Sequence, residues 1–221
     1  DAMPARGPLT EEQARHLIHG YYACVSYVDV LVGKLVDRVK ALGLWEKTAI
    51  CLWGDHGWKL GEHGLWCKHT NFELDTRAPL ITRVPGQETV GRSTDALVEL
   101  VDVYPSLAAA AGLDLPEHLE GTSYVPLLND PEREWKSAAF SQYPRNGKRI
   151  MGYSMKTDRY RYTEWVKRET GEVEATELYD HKNDPGENFN LAGKAGQQAV
   201  VMRLAGMMDK GWEGVSSPLK K

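Results

Sequence analysis

The sequence of 221 residues predicts an α/β fold with a smaller antiparallel sheet toward its carboxyl end. The first observation is a long stretch of apolar residues at helical spacing, followed by a short, nearly continuous apolar run typical of a buried strand. The second is a change, after about Trp135, to short alternating segments separated by polar turns. We therefore expect residues 1–135 to belong to a large α/β domain and residues 136–221 to form a small subdomain with antiparallel strands and a closing helix.

The first predicted element is a long helix. Residues 10–13 (TEEQ) form a capping box, apolar residues recur at helical spacing over 17–42, and Gly43 is the stop. Gly20 and Gly33 each cost about 1 kcal/mol relative to alanine inside a helix. They indicate close packing of this helix against another element.

A buried strand is expected next. Residues 48–53 (TAICLW) are nearly all apolar, as in a strand covered on both faces within a parallel sheet. The polar motif that follows therefore begins at the carboxyl end of a buried strand, where α/β folds bind ligands. Further strands are expected at 79–84 and, less distinctly, at 97–101, and Asp102 is expected to cap the next helix.

The second half of the chain alternates between turns and short strands. Residues 117–133 are marked by Pro and Gly without a clear period, which predicts a surface excursion. Antiparallel strands and a closing amphipathic helix are then expected, the strands at 138–140, 149–156, 160–166 and 176–179 and the helix at 195–208.

The motif after the buried strand, residues 54–69 (GDHGWKLGEHGLWCKH), carries the side chains with the clearest chemical potential. Asp55 and His56 together can hold a divalent cation, the first through oxygen and the second through nitrogen. Their flanking glycines allow a ligand to approach the backbone. The alternative is that Asp55 caps a turn and His56 is an ordinary loop histidine.

Other side chains of the same motif have open interpretations. Lys68 is suited to binding an anion beside a metal, whereas most lysines are simply solvated. Trp58 can form an apolar wall or can be an ordinary aromatic at the edge of the core. A zinc site is a further alternative, but the spacing matches no common zinc template. That site would use His56, His63, Cys67 and His69.

Composition limits the classes of partner. The 27 basic and 31 acidic side chains give a net charge of −4 without a long run of one sign, which argues against nucleic acid as the main partner. No apolar run approaches the roughly 20 residues of a membrane span. The three cysteines have no zinc-like spacing, and they leave the redox compartment open.

The motif resembles the second metal- and sulfate-binding segment of the sulfatases in residues 55–58 (DHGW), 60–64 (LGEHG) and 66–68 (WCK). Within that family, residues 141–145 (SQYPR) and 151–154 (MGYS) look most like the iduronate-2-sulfatases. Four other segments agree with the family in the same order, namely 22–35, 78–86, 100–107 and 177–191.

The resemblance implies the C-terminal part of an alkaline-phosphatase-like sulfatase fold and the hydrolysis of sulfuric esters on a glycan. It implies a calcium ion held partly by Asp55 and His56, with Lys68 in contact with the sulfate. Trp58, Arg145 and Lys148 are expected to contact the substrate, the two cations through a uronate carboxylate, although residues 145–149 can also be a solvated basic turn. A periplasmic or secreted location is implied as well, although the residues given contain no signal-peptide pattern.

One part of the family pattern is not found in these residues. The family nucleophile is a formylglycine made from Cys in a Cys-x-Pro-x-Arg motif, and Cys24, Cys51 and Cys67 all lie in other contexts. We therefore expect the chain to supply half of an active site, to need the N-terminal half of a sulfatase as its partner and to be inactive alone. The alternatives are a phosphodiesterase or phosphonate hydrolase of the same superfamily, and a non-catalytic anion- or glycan-binding module.

Overall fold

The computed structural model describes residues 7–215. Five α-helices and eight strands lie in this range, joined by turns and by four short 3₁₀ segments. In chain order they are α1 (Glu11–Ala41), β1 (Ile50–Trp53), β2 (Lys59–Leu60), β3 (Trp66–Cys67), α2 (Glu73–Thr76), β4 (Leu80–Arg83), α3 (Val103–Ala110), α4 (Val125–Asn129), β5 (Ala139–Arg145), β6 (Ile150–Lys156), β7 (Tyr160–Lys167), β8 (Val173–Asp180) and α5 (Gln198–Asp209).

Helix α1 begins where the capping box predicts. The Thr10 hydroxyl accepts from the Gln13 amide at 3.2 Å, and the Gln13 side chain accepts from the Thr10 amide at 3.0 Å. The prediction of close packing at Gly20 and Gly33 is wrong for the described residues, because no atom outside the helix backbone lies within 4 Å of a Cβ built at either glycine. No described residue of α1 is buried, and no helix in residues 7–215 is long and apolar enough to span a membrane.

Strand β1 pairs with β4 in a two-stranded antiparallel sheet. The prediction of a parallel sheet that covers this strand on both faces is therefore wrong for the described residues. Cys51 packs against buried side chains around α3, but Leu52 and Trp53 are 39% and 47% exposed, so the apolar run is only partly covered within residues 7–215. The expected strand at 97–101 is also wrong, since Glu99 and Asp102 bind each other's backbone amides and close a 3₁₀ turn.

The expectations for Asp102 and for the surface excursion are partly wrong. Asp102 directly precedes α3, but its carboxylate accepts from the Thr122 amide and from Lys136 instead of capping the helix. Residues 117–133 contain α4, and two of their apolar side chains are buried. Tyr124 and Leu127 lie three residues apart, on the same side of the chain, and both belong to a cluster of buried side chains around α3.

The C-terminal meander is confirmed. Strands β5 to β8 pair antiparallel in chain order, and α5 closes one face close to the predicted place. Buried apolar side chains of the sheet and α5 form a core, and these are Ala138, Met155, Tyr162, Leu178, Leu204 and Val215. The residues that alternate with them face the other way, as strand periodicity requires. Those on β5 and β6 include Ser141, Tyr143, Gly152 and Ser154, and the Asn71 amide reaches the Gly152 carbonyl at 3.1 Å.

Buried ion pairs cross the expected division at residues 135 and 136. Lys136 lies 2.7 Å from the fully buried Asp102, and Arg161 pairs with Glu73. The division of the chain into two domains at this point stays a prediction. In the described residues the two parts are joined by charged side chains as well as by the chain itself.

Candidate active site

The motif folds back on itself through a short hairpin. Strands β2 and β3 pair antiparallel, with Lys59 opposite Cys67 and Leu60 opposite Trp66. The turn between them uses Gly61, whose φ of +119° is open to glycine but strained for other residues. The pairing brings the side chains of His56 and Lys68 together at the two ends of the hairpin, although these residues lie twelve positions apart in the chain.

Asp55, His56 and Lys68 converge at the open end of this hairpin. The Nδ1 atom of His56 lies 2.8 Å from the Gly57 carbonyl, so it carries the proton, because a carbonyl oxygen can only accept. Nε2 therefore keeps its lone pair. It accepts from the Lys68 ammonium at 2.5 Å and lies 3.5 Å from an Asp55 carboxylate oxygen.

This arrangement fits two ligands of a divalent cation. A carboxylate oxygen and an imidazole lone pair point to the same place, and the other ring nitrogen donates to a backbone carbonyl, as it does in most metal-binding histidines. The Asp55 side chain is 83% exposed, so its carboxylate is accessible from solvent. Calcium takes roughly 6–8 ligands, so these two residues hold only part of its shell.

The side chains of the alternative zinc set are directed elsewhere. The His63 ring stacks on Phe72 at 4.1 Å, and the His69 ring stacks on Tyr143 at 5.4 Å. Within residues 7–215, no three of the four zinc candidates come within metal-binding reach of one another. The structure therefore gives the zinc alternative no support.

The three expected substrate contacts differ in their positions. Trp58 lies beside the site, with its ring 6.2 Å from that of His56. Arg145 approaches the Lys68 segment from β5 and donates to the His69 carbonyl at 2.6 Å. Lys148 lies in the exposed turn between β5 and β6, and no described residue pairs with it. The structure thus brings Trp58 and Arg145 to the site but leaves Lys148 on a separate turn.

A large open cleft of about 1830 Å³ begins at the site. Asp55, His56 and Lys68 line it together with residues of α2, of the 94–101 segment and of the meander. The three converging side chains therefore face a space that a large polar substrate can enter.

Sequence analysis missed a buried ion pair beneath the site. The side chains of Lys59 and Asp75 are 0% and 4% exposed, and the ammonium lies 2.5 Å from Asp75 Oδ1. Thr70 also donates to the Asp75 carboxylate. No local signal could reveal this pair, because its partners lie sixteen residues apart and most lysines are exposed.

A second charged cluster attaches the same segment to the meander. Arg161 donates to Glu187 at 2.7 Å and also contacts Glu73 and Thr76 on α2. Burial raises the pKa of the Glu187 carboxyl, but the hydrogen bond with His181 and the charge of Arg161 outweigh it, so this pKa lies below its usual range. In residues 7–215, Glu73, His181 and Glu187 are the one trio of potential metal ligands within reach of one another, but the Arg161 guanidinium already pairs with both carboxylates.

Comparison with known proteins places these residues in a family. A family model described as N-sulphoglucosamine sulphohydrolase, C-terminal, matches residues 61–212, and one described as Sulfatase matches residues 1–113. The iduronate 2-sulfatase of Mus musculus is 34% identical over 84% of this chain and 45% of its own length. The chain spans less than half the length of the curated relatives it matches most strongly.

Solved structures agree with this placement. One similar structure is that of a protein in complex with its substrate, D-glucosamine-2-N,6-O-disulfate. That protein is 29% identical in sequence, with a TM-score of 0.74, and the match covers 86% of this chain and 39% of that protein. The phosphonate monoester hydrolase of Agrobacterium radiobacter is 26% identical, with a TM-score of 0.81 over 91% of this chain and 42% of that protein. The matches along the chain and the shared alkaline-phosphatase-like architecture lead to one conclusion. The chain belongs to the sulfatase family.

Proposed function

We propose that this chain supplies part of the active site of a sulfuric-ester hydrolase that acts on sulfated glycans. The observation that carries the proposal is the convergence of an Asp55 oxygen, the His56 lone pair and the Lys68 ammonium at a large cleft. A sulfate ester develops negative charge on its oxygens during hydrolysis, and fixed positive charge stabilises that state. The iduronate 2-sulfatases among the relatives support a sulfated glycan as the substrate class.

Each of the three residues has a distinct role in this proposal. Asp55 and His56 would hold a calcium ion, which would supply positive charge to the site. The Gly57 carbonyl keeps the His56 proton on Nδ1, so that Nε2 is available as a ligand. Lys68 would bind a sulfate oxygen as a charged donor beside His56.

The nucleophile and the remaining calcium ligands would come from the N-terminal half of a sulfatase, which is the partner we propose. A formylglycine in that half is the expected nucleophile, since none of the cysteines in this chain lies in the required motif. The exposed apolar side chains of α1 and β1 support such a partner, because an apolar face of this extent needs a cover. The exposed side chains include Tyr22, Tyr27 and Leu35 of α1, Trp53 of β1 and Ile81 of its partner strand β4.

A uronate-containing substrate is the finer part of the proposal. Arg145 lies beside the Lys68 segment and carries the donors that bind a carboxylate in pairs. Trp58 offers an aromatic wall next to His56. Lys148 is supported only by its charge, since it lies on an exposed turn. A periplasmic or secreted location also remains a proposal, drawn from the family resemblance alone.

A phosphonate or phosphodiester hydrolase is the second candidate. The likeness to the phosphonate monoester hydrolase favours it, because the same metal and cation can stabilise charge on phosphorus oxygens. A non-catalytic glycan-binding module is the third candidate, and it is favoured by the lack of a nucleophile motif in the residues given.

The test is an activity assay on the chain combined with the N-terminal half of a sulfatase. A sulfated uronate disaccharide should be hydrolysed, and Lys68→Ala should lower kcat/KM by about 10²–10³, the range for removal of one oxyanion donor. Lys194→Ala is the matched control, since Lys194 is an exposed lysine that does not line the cleft, and it should retain full activity. The proposal fails if Lys68→Ala is as active as the control, or if a phosphonate ester is hydrolysed and the sulfate ester is not.

A further inference from the structure

The buried pair of Lys59 and Asp75 joins the two arms of the hairpin that carries the site. Lys59 lies three residues after His56, on one arm, and Thr70 lies two residues after Lys68, on the other. The Asp75 carboxylate accepts from both the Lys59 ammonium and the Thr70 hydroxyl. The Lys59 ammonium also reaches the Thr70 hydroxyl at 3.2 Å, so the three polar groups form a closed triangle.

The backbone makes a further connection to the same residue. The Gly57 amide donates to the Asp75 carbonyl at 2.8 Å, directly after His56. A Cβ at Gly57 would lie 1.9 Å from the Leu74 carbonyl oxygen, so the arm runs in direct contact with α2 and only glycine fits there. Asp75 therefore holds the His56 arm through its backbone and both arms through its side chain.

The Lys68 arm needs such a connection because its backbone is strained. Cys67 and His69 both have positive φ, at +67° and +88°, although neither is glycine. Residues in this region of the backbone keep their conformation only where the surrounding structure holds them. Lys68 lies between Cys67 and His69. The direction of its side chain therefore depends on the contacts that hold residues 67–69 in this conformation. Thr70 directly follows the strained stretch, and its hydroxyl contacts the buried side chains of Lys59 and Asp75.

We propose that Lys59, Thr70 and Asp75 are positioning residues that set the separation between the Lys68 ammonium and His56 Nε2. The consequence for sulfate binding rests on the function proposed above, whereas the geometric claim does not. These residues act through the arms of the hairpin and need no contact with the substrate. A buried charge pair is expensive to desolvate and adds little net stability, so a role in holding the site accounts for its presence better than stability alone.

The test is an NMR measurement on the chain, with selectively ¹³C-labelled lysine and histidine. The described geometry predicts a nuclear Overhauser effect between the Lys68 ε protons and the His56 ring. Thr70→Val removes one hydroxyl from the triangle and should weaken this signal at least threefold. Thr163→Val is the control, because it makes the same substitution at a buried threonine whose hydroxyl donates to Ser154 on the meander, and its signal should equal that of the wild type.

The larger change, Lys59→Met, should abolish the signal, and Thr70→Val decides the matter if Lys59→Met does not fold. In the chain combined with the N-terminal half, Thr70→Val should lower kcat/KM about tenfold and Thr163→Val less than twofold. The inference is overturned if folded Thr70→Val keeps the wild-type signal. An inactive wild-type enzyme would instead contradict the proposed function, and the NMR result would still stand.

Discussion

The meander and the amino-terminal helix bury their apolar side chains to very different extents. In the meander and α5, Met155 and Leu204 are 0% exposed. In α1, by contrast, Tyr27 and Leu35 are each 67% exposed, although the helix is well capped and 31 residues long. The meander and α5 therefore bury their own core, whereas α1 contacts the described residues near Trp58 but has no buried side chain.

The difference follows from where the partners lie in the chain. Each strand of the meander pairs with its neighbour in sequence, and α5 closes the sheet soon afterwards, so every partner is local. Strand β1 has one partner, β4, and its last two apolar side chains, Leu52 and Trp53, are exposed in residues 7–215. An apolar pattern thus specifies an element, but the element is buried only where a second surface is present.

The largest expected effect comes from breaking the connection between two other regions, the turn that precedes α3 and the start of the meander. Lys136→Met should lower the free energy of unfolding by about 3–5 kcal/mol, because it leaves the fully buried Asp102 carboxylate without its cation. Urea unfolding measures this loss. Lys47→Met, at an exposed position, should change stability by less than about 0.5 kcal/mol. A loss below 1 kcal/mol for Lys136→Met would mean that the two regions are not joined through this pair.

A matched pair of leucine truncations tests the comparison itself. Leu204→Ala should cost about 2–5 kcal/mol, since the side chain is fully buried between α5 and the sheet. Leu35→Ala in α1 should cost less than about 0.5 kcal/mol, because the leucine is mostly exposed and alanine favours helix. The same urea experiment measures both. Equal losses would show that α1 is packed in solution against something that residues 7–215 do not include.

A smaller effect should depend on pH. The hydrogen bond from Arg159 lowers the pKa of the Asp180 carboxyl from 3.8 to about 2. A lowered pKa stabilises the fold above pH 3.8, and that contribution is lost as the pH falls toward 2. Asp180→Asn should therefore cost about 1–2 kcal/mol at pH 7, a figure reduced by the exposure of Arg159, and almost nothing near pH 2.

Asp114→Asn, at an exposed position, is the control for this experiment and should have little effect at either pH. Unfolding by urea at several pH values separates the two variants. A loss for Asp180→Asn that stays constant from pH 7 to pH 2 would show that the carboxylate is not held in its charged form by Arg159.

The sequence predicted the local features of the fold well. The capping box of α1 and the alternation of the meander strands depend on neighbouring residues, and both are confirmed. The turn at Glu99 and Asp102 was missed because side chains bind the backbone there and override an apolar pattern. Helix α4 was missed because Pro and Gly around it hid the spacing of Tyr124 and Leu127.

The sequence indicated the three side chains that converge in the structure, but not the groups that hold them; their roles as ligands and sulfate contact stay predictions. The order of Asp55, His56 and Lys68 resembles a family motif, and the β2–β3 pairing brings their side chains together. The ion pair of Lys59 and Asp75 could not be predicted, because it depends on the position of α2 against the hairpin. Charged partners that meet only in the folded chain leave no periodic signal in the sequence.

Calcium binding measured by calorimetry is the most direct test of the central claim, that Asp55, His56 and Lys68 belong to one half of a sulfatase active site. The chain alone should show no tight binding, since two ligands fall well short of the roughly 6–8 that calcium takes. The chain combined with the N-terminal half should bind calcium tightly. Asp55→Ala should abolish this binding, and Asp114→Ala should leave it intact. Tight binding by the chain alone, or unchanged affinity in the combined Asp55→Ala variant, would contradict the account.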